Sequence, residues 1–320
     1  MKKTALVIGI TGGFGSAATQ ALLNHGWLVR ALHRKPERAQ KLSPVQGDID
    51  WVKGDALNVE DVVAAAKDCA AIIHGANPPG YKNWRGLAIP MLENSIAAAK
   101  QSGARLVFPG NVYNFGPDAG SEINETSPQN PLTRKGEIRV EMEQSIRSAC
   151  EYGMKALILR AGDYFGPNAP GSWFTGAMIK PGKPISKIIY PGDHDVGHAW
   201  AFLPDMAETV ALLLEHEGML ADLEVFHFRG HALSRGVEIA EAIQRITGTN
   251  LPISGLPWPF LYILAPFLET FREIIEMRYL WKVPLQLDNT KLRNLIGEEP
   301  HTPLDDAVRT SLEGMKCLGR

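Results

Sequence analysis

The chain is 320 residues long, 45% hydrophobic and 21% charged, ordinary for a folded protein and enough for a large core with a smaller lobe beside it. A formal net charge of −2 suggests neither a nucleic-acid surface nor an acidic tail, so no nucleic-acid partner is expected. Three widely spaced cysteines, Cys69, Cys150 and Cys317, make no metal pattern and point to a reducing, cytoplasmic setting.

The first residues carry two lysines and an apolar run, but the run breaks at glycines after about six residues, too short for a secretion signal. It reads as a buried strand, Thr4–Ile8. Further strands are predicted at Leu28–Leu32, Asp50–Lys53, Ala71–His74, Arg105–Phe108 and Ala156–Leu159. Helices are predicted between them at Ser16–His25, Val59–Lys67, Pro90–Ser102 and Gly136–Tyr152. Apolar runs alternating with amphipathic stretches are the pattern of an α/β fold with a parallel sheet covered on both faces. From Gly162 to Gly192 the chain is rich in Gly and Pro, as in a substrate loop or lid. Helices resume at Pro204–Glu215, Gly236–Thr247, Phe260–Trp281 and Thr302–Glu313. No window reaches the roughly 18 apolar residues of a membrane span, so no integral membrane segment is expected. The nearest approach, Leu256–Leu268, is interrupted by Pro257, Pro259 and Pro266. It reads as a pocket wall or dimer contact rather than an interfacial membrane segment.

The strongest local signal lies between the first strand and the first helix, where Gly9, Gly12, Gly13 and Gly15 alternate with Ile10, Thr11 and Phe14. Glycines let the backbone turn sharply and come close to a pyrophosphate, whose charge the helix N-terminus favours. A dinucleotide is therefore expected against Gly9, Thr11, Gly12, Gly13, Phe14 and Gly15. The end of the second strand reads Ala31-Leu32-His33-Arg34-Lys35. It has no carboxylate for the adenosine ribose, whereas Arg34 offers a two-pronged grip on a 2′-phosphate, so NADP is expected over NAD.

The G-x-x-G-x-x-G spacing resembles the short-chain dehydrogenase/reductase superfamily, and the length resembles its extended branch, the NAD-dependent epimerase/dehydratase family. Gly54-Asp55, the segment His74–Asn77, the stretch Arg160–Pro167 and the segment Phe202–Asp205 resemble later motifs of that family, in the same order. The resemblance implies a Rossmann-type, doubly wound parallel sheet with a smaller, mostly helical C-terminal lobe. Residues 1–165 would form the dinucleotide-binding part and 166–320 a substrate lobe interleaved with the last sheet elements. It also implies Asp55 near the adenine, Ala76 at the cofactor and a homodimer.

Members of the family usually carry a catalytic tyrosine, a lysine four residues on, and a serine or threonine before a V-Y-G-like segment. The pattern aligns here with Pro131 to Glu143, where Lys135 stands for the tyrosine, Arg139 for the lysine and Asn111 for the serine. In one reading the site is active with changed chemistry. Lys135 would be the acid/base and a cofactor contact, Arg139 a positioning cation and Asn111 a hydrogen-bond donor, with Tyr113, Asp163 and Tyr164 on loops bordering the cleft. In the other, Arg139 pairs with Glu143 on a solvated helix, and the protein is a non-enzymatic NADP(H) sensor.

Nucleotide-sugar enzymes of the family have an arginine about seven residues before the motif aspartate. Counting back from Asp205 gives His198, which has no permanent charge. The expected activity is oxidoreduction of a small carbonyl compound, with epimerase or dehydratase chemistry as the alternative. Asp193, His194, Asp195 and His198 read as a polar turn, with no metal expected. Trp173, Phe174, Trp200 and the aromatic stretch 258–271 read equally as pocket lining or as core.

Overall fold

Alternation along the first strand decides how the sheet is covered. In the computed structural model, which describes residues 2–78 and 83–318, β1 (Thr4–Ile8) sends Ala5 and Val7 into one core and Leu6 and Ile8 into the other. Successive strand side chains point to opposite faces, so a run apolar at every position needs cover on both.

The chain continues through α1 (Gly13–Asn24), β2 (Leu28–His33), α2 (Pro36–Leu42), β3 (Ile49–Lys53), α3 (Val59–Ala65) and β4 (Ala71–His74). Next come α4 (Trp84–Ser102), β5 (Arg105–Asn111), the short β6 (Glu122–Ile123), α5 (Arg134–Cys150) and β7 (Ala156–Ala161). Beyond residue 162 lie β8 (Asp163–Phe165), β9 (Ile188–Tyr190), β10 (His198–Phe202), α6 (Leu203–Glu215), β11 (Leu223–His227) and β12 (His231–Leu233). The chain then runs through α7 (Glu238–Thr247), β13 (Ile253–Gly255), α8 (Trp258–Leu264), α9 (Glu269–Glu276), β14 (Gln286–Leu287), α10 (Thr290–Ile296) and α11 (Leu304–Gly314).

The main sheet has seven parallel strands in the order β11-β7-β5-β4-β1-β2-β3. This is the expected doubly wound α/β architecture, and the strand order reverses between β1 and β4. Helices α1 and α6 cover one face through Ala18, Leu22, Met206 and Val210. Helices α3, α4 and α5 cover the other through Val62, Leu92, Ile96, Met142 and Ile146. A separate core around Phe165, Phe174, Trp200, Ile243 and Trp281 holds the C-terminal elements together.

Several elements depart from the sequence expectation, each for a local reason. The sheet gains a seventh strand, β11, from beyond residue 165; its apolar run is broken by Glu224, which lies at a sheet edge and receives a hydrogen bond from Lys291 Nζ at 2.6 Å. Helix α2 buries only Pro36 and Ala39, so it has no apolar stripe to announce it. Helix α4 begins at Trp84 and accommodates Pro90 inside. The single helix expected over Phe260–Trp281 is instead α8, a break around Pro266, α9, and a 3-10 turn at Met277–Trp281. Proline lacks the N–H that an unbroken helix needs. The loop 162–192 holds two short strands and a π-helical turn at Phe174–Met178.

Candidate cofactor and catalytic site

The glycine turn sits at the reversal of strand order, the place in such sheets where the ends of two strands leave a crevice. Gly9 follows β1 with φ +89°, and a Cβ there would come 2.5 Å from the backbone of Gly75, which follows β4. A Cβ on Gly15 would come 2.2 Å from the Gly9 carbonyl oxygen. The Gly12 amide donates to that same oxygen at 2.9 Å, closing the turn. Helix α1 begins on Gly12 with no side-chain cap, so its first amides are left to an outside acceptor. Gly13 packs under the loop from the far half of the chain, where a Cβ would meet the Asn168 carbonyl at 2.7 Å, and Phe14 is buried. Backbone brought this close at a helix N-terminus fits a pyrophosphate. Thr11 is exposed on the same turn.

Asp55 follows β3, its backbone held by the Asp61 carboxylate (2.8 Å) and its own carboxylate accepting from the Leu57 amide (3.1 Å). Ala76 follows Gly75 at the end of β4. Arg34 is exposed past the end of β2.

Helix α5, which carries Lys135 and Arg139, packs its first turns against the end of β5 and the turn that follows it. Thr133 caps it by accepting from the Gly136 amide at 3.0 Å. Gly136 lets the turn at Val112–Asn114 come close, since a Cβ there would lie 2.3 Å from the Tyr113 carbonyl oxygen. Lys135 is 3% exposed. Its Nζ donates to the backbone carbonyl of Glu273 at 2.8 Å and lies 3.3 Å from the Glu273 carboxylate. Burial pushes the Lys135 amine below the usual lysine range, against the pull of Glu273 and Glu276. Burial and its neighbour Glu273 raise the Glu276 carboxyl.

One turn on, the Arg139 guanidinium lies over Trp84 (5.3 Å) and Phe108 (5.4 Å) and donates to the Pro109 carbonyl at 3.2 Å. The i,i+4 pair expected between Arg139 and Glu143 does not form. Glu143 instead holds Arg160 with two hydrogen bonds of 3.0 and 2.6 Å, deep between α5 and β7. A buried guanidinium demands a carboxylate more strongly than a half-exposed one that already has aromatic and carbonyl neighbours. Asn111 Oδ1 accepts from the Tyr113 amide at 3.0 Å, leaving its amide nitrogen as the group that can donate. The Tyr164 hydroxyl donates to the Gly110 carbonyl at 2.6 Å, so its phenol also lies at the end of β5.

The sequence did not single out Glu273, and it named His74 only as part of the segment His74–Asn77. Glu273 lies 138 residues from Lys135, and no spacing rule links them. His74 at the end of β4 is fully enclosed, with Nδ1 2.8 Å from Ser95 Oγ and Nε2 without a partner among the described residues. Ser95 Oγ also lies within hydrogen-bond distance of the Met91 carbonyl, at 3.1 Å. Burial and Arg139 push the His74 pKa down to about 3.

In the C-terminal lobe, His198 is buried, 2.8 Å from Asp163 and stacked on Trp281 at 4.1 Å and 8°. Asp205 accepts from the backbone amide and hydroxyl of Thr302, both at 2.7 Å, tying α6 to the approach of α11. The described residues contain no cluster that could hold a metal ion. Phe174 and Trp200 are fully buried in packed core. Trp258 borders a hollow of about 140 Å³ between Pro191–Asp193 and Arg278. A shallower depression of about 740 Å³ lies by Pro117, Asp118 and Pro131.

Sheet order and the glycine crossing define a Rossmann-like α/β protein. The NAD dependent epimerase/dehydratase family matches over residues 5–222, and the chain belongs to that family. An uncharacterized protein, y4nL, of Sinorhizobium fredii is 24% identical, covering 91% of this chain and 86% of its own. A UDP-glucose 4-epimerase of Lactobacillus helveticus is also 24% identical, over 96% and 95%. The fold is shared with the UDP-glucuronic acid 4-epimerase of Bacillus cereus, solved with UDP-glucuronic acid and NAD. That likeness has a TM-score of 0.75 and 19% identity, over 98% of this chain and 99% of the other.

Proposed function

We propose that the chain binds a nicotinamide dinucleotide on the glycine turn and carries out oxidoreduction of a small carbonyl compound, with Lys135 as the proton-transfer group. The observation that carries this reading is the crossing of Gly9, Gly15 and Gly75 at the strand-order reversal, where no Cβ fits. When bound, the dinucleotide supplies or accepts a hydride. Lys135 Nζ gives a proton to the substrate oxygen in reduction or takes one back in oxidation, and the Glu273 carboxylate at 3.3 Å holds the charged amine in place. Arg139 fixes the end of β5 through Pro109, and the Asn111 amide nitrogen is a donor for the same oxygen.

NAD is the cofactor of this reading, supported by an NAD dependent family and by the NAD bound in the Bacillus cereus enzyme. The sequence expectation of NADP rests on Arg34 alone. Calorimetric titration of both cofactors decides between them. NAD binding at least as tight as NADP supports the adopted reading, and a tenfold preference for NADP that Arg34→Ala removes reinstates the other.

A second reading, sugar epimerisation or dehydration, is favoured by the near full-length match to the Lactobacillus enzyme. Against a nucleotide-sugar substrate stands His198, enclosed by Asp163 and Trp281 where a permanent cation would hold a diphosphate. Turnover of a carbonyl panel against UDP-sugars separates the two. Lys135→Ala should keep dinucleotide binding and lose turnover; unchanged turnover removes the role given to Lys135. A cytoplasmic setting goes with the free thiols of Cys69, Cys150 and Cys317.

A further inference from the structure

Helix α1 carries the glycine turn at its start and has no charged residue of its own. His25 follows its last residue and packs a mostly buried ring, 16% exposed, against α6. The ring Nε2 lies 2.6 Å from the Glu208 carboxylate, and Nδ1 lies 2.7 Å from the Glu215 carboxylate. Glu208 and Glu215 are about two helical turns apart, so they reach the ring from opposite sides. The same two helices also meet at the turn, where a Cβ on Gly13 would come 2.8 Å from Leu203 Cδ1. Helix α6 therefore touches α1 at both ends.

Two carboxylates on one imidazole decide its proton count. Neutral imidazole has one N–H and one lone pair, and here that lone pair would face a carboxylate oxygen at 2.6 or 2.7 Å. Only imidazolium donates to both. Its charge also sits at the C-terminus of α1, where a cation is favoured. Among the described residues, the other titratable groups on elements packed against α1 are engaged elsewhere. On α6, Asp205 accepts from Thr302, and His216 Nδ1 lies 2.9 Å from the Leu212 carbonyl of its own helix. Strand β1 has no charged residue, and Lys3 before it lies over Trp27 at 5.5 Å. On β2, Arg30 goes to Asp50 (2.8 Å) and His33 Nδ1 accepts from the Lys35 amide (3.0 Å). On β4, His74 meets Ser95 of α4, which covers the opposite face of the sheet.

We propose that Glu208 and Glu215 hold His25 as an imidazolium, and that the three form a pH-sensitive clamp fastening the helix of the glycine turn to α6. The clamp is closed while the second ring proton is on and opens as rising pH removes it. The hydrogen bond to Glu215 lifts the His25 pKa above its ordinary 6.5; burial opposes this, and Glu208 adds to it. The stabilisation is therefore complete below about 6.5 and is lost as the pH rises through the higher folded value. A histidine buried as the neutral base, such as His74, acts with the opposite sign.

A pH titration of the His25 ring C–H signals by NMR, in the full chain and assigned by their loss in His25→Gln, tests this. A midpoint above 6.5 is expected, and Glu208→Gln with Glu215→Gln should return it to 6.5 or lower. Glu215→Gln alone, at an exposed position, should lower it in part, a second route should the double variant fold poorly. In urea unfolding, the wild type should be more stable than His25→Gln at about pH 6, and that excess should shrink as the pH rises through the NMR midpoint. Amide exchange, corrected for intrinsic rates, should show the last turn of α1 losing protection over the same range in the wild type and not in His25→Gln. A wild-type midpoint at or below 6.5 overturns the proposal, as does one that the double variant leaves unchanged. So does a stability excess, or an α1 protection, that stays constant across the midpoint.

Discussion

The glycine turn and the first two turns of α5 are built in opposite ways. The turn works through backbone: glycines where Cβ atoms would collide, and amides left open by an uncapped helix. The start of α5 works through side chains, and the partner of each is set by the rest of the fold. Lys135 meets Glu273 from α9, Arg139 lies between Trp84 and Phe108, and Glu143 goes to Arg160. A backbone site is fixed by where glycine occurs. A side-chain site takes its properties from neighbours that arrive through folding.

The sharpest way to break that contrast is to put a side chain into the turn. Gly15→Val should abolish dinucleotide binding in calorimetry, because its Cβ alone would sit 2.2 Å from the Gly9 carbonyl oxygen. Retained binding would mean the turn does not carry the site by close approach.

Next in size is the pair that replaced the expected helix-surface contact. Glu143→Ala leaves the Arg160 guanidinium, which is 0% exposed, without its carboxylate. Urea unfolding should show a loss of about 3–5 kcal/mol. A loss under about 1 kcal/mol would return Glu143 to the solvated face that the sequence suggested.

Buried neutral histidines give the fold a dependence on acid. Burial is the largest cause that holds His74 and His227 down to about 3 and His231 down to about 4. Below the ordinary 6.5 the unfolded chain binds protons that the folded one refuses. Stability therefore falls as the pH drops from about 6.5 toward these values, by up to about 1.4 kcal/mol per pH unit for each group. His227→Gln should flatten the slope of unfolding free energy against pH between about 6 and about 4 by that amount; an unaltered slope would assign the acid sensitivity elsewhere.

The smallest effect sharpens the side-chain half of the contrast. Reduction needs Lys135 protonated, so the rate should fall as the pH rises through its lowered pKa. Glu273 raises that pKa, so Glu273→Gln should move this limb of the pH–rate profile to lower pH on whichever carbonyl substrate is found. A limb that stays put would separate Lys135 from proton transfer.

Reading the sequence alone succeeded where local rules suffice. Buried strands β1, β4 and β7 showed as continuous apolar runs, and the glycine turn showed as a spacing, because both depend on residues near one another in the chain. It missed β11, whose Glu224 interrupts the run at a sheet edge, and it merged α8 and α9 across Pro266. It singled out Lys135, Arg139 and Asn111 by their alignment, but gave no account of what surrounds them.

The order of residues was sufficient to specify a doubly wound sheet with a glycine crossing at its centre, since steric freedom and apolar periodicity are properties of the chain itself. The partners of Lys135, Glu143 and His198, and the outward turn of Ile263 and Phe267, came from folding. Charge pairing and burial depend on distances between residues far apart in sequence, and those distances exist only once the sheet and its lobes have packed.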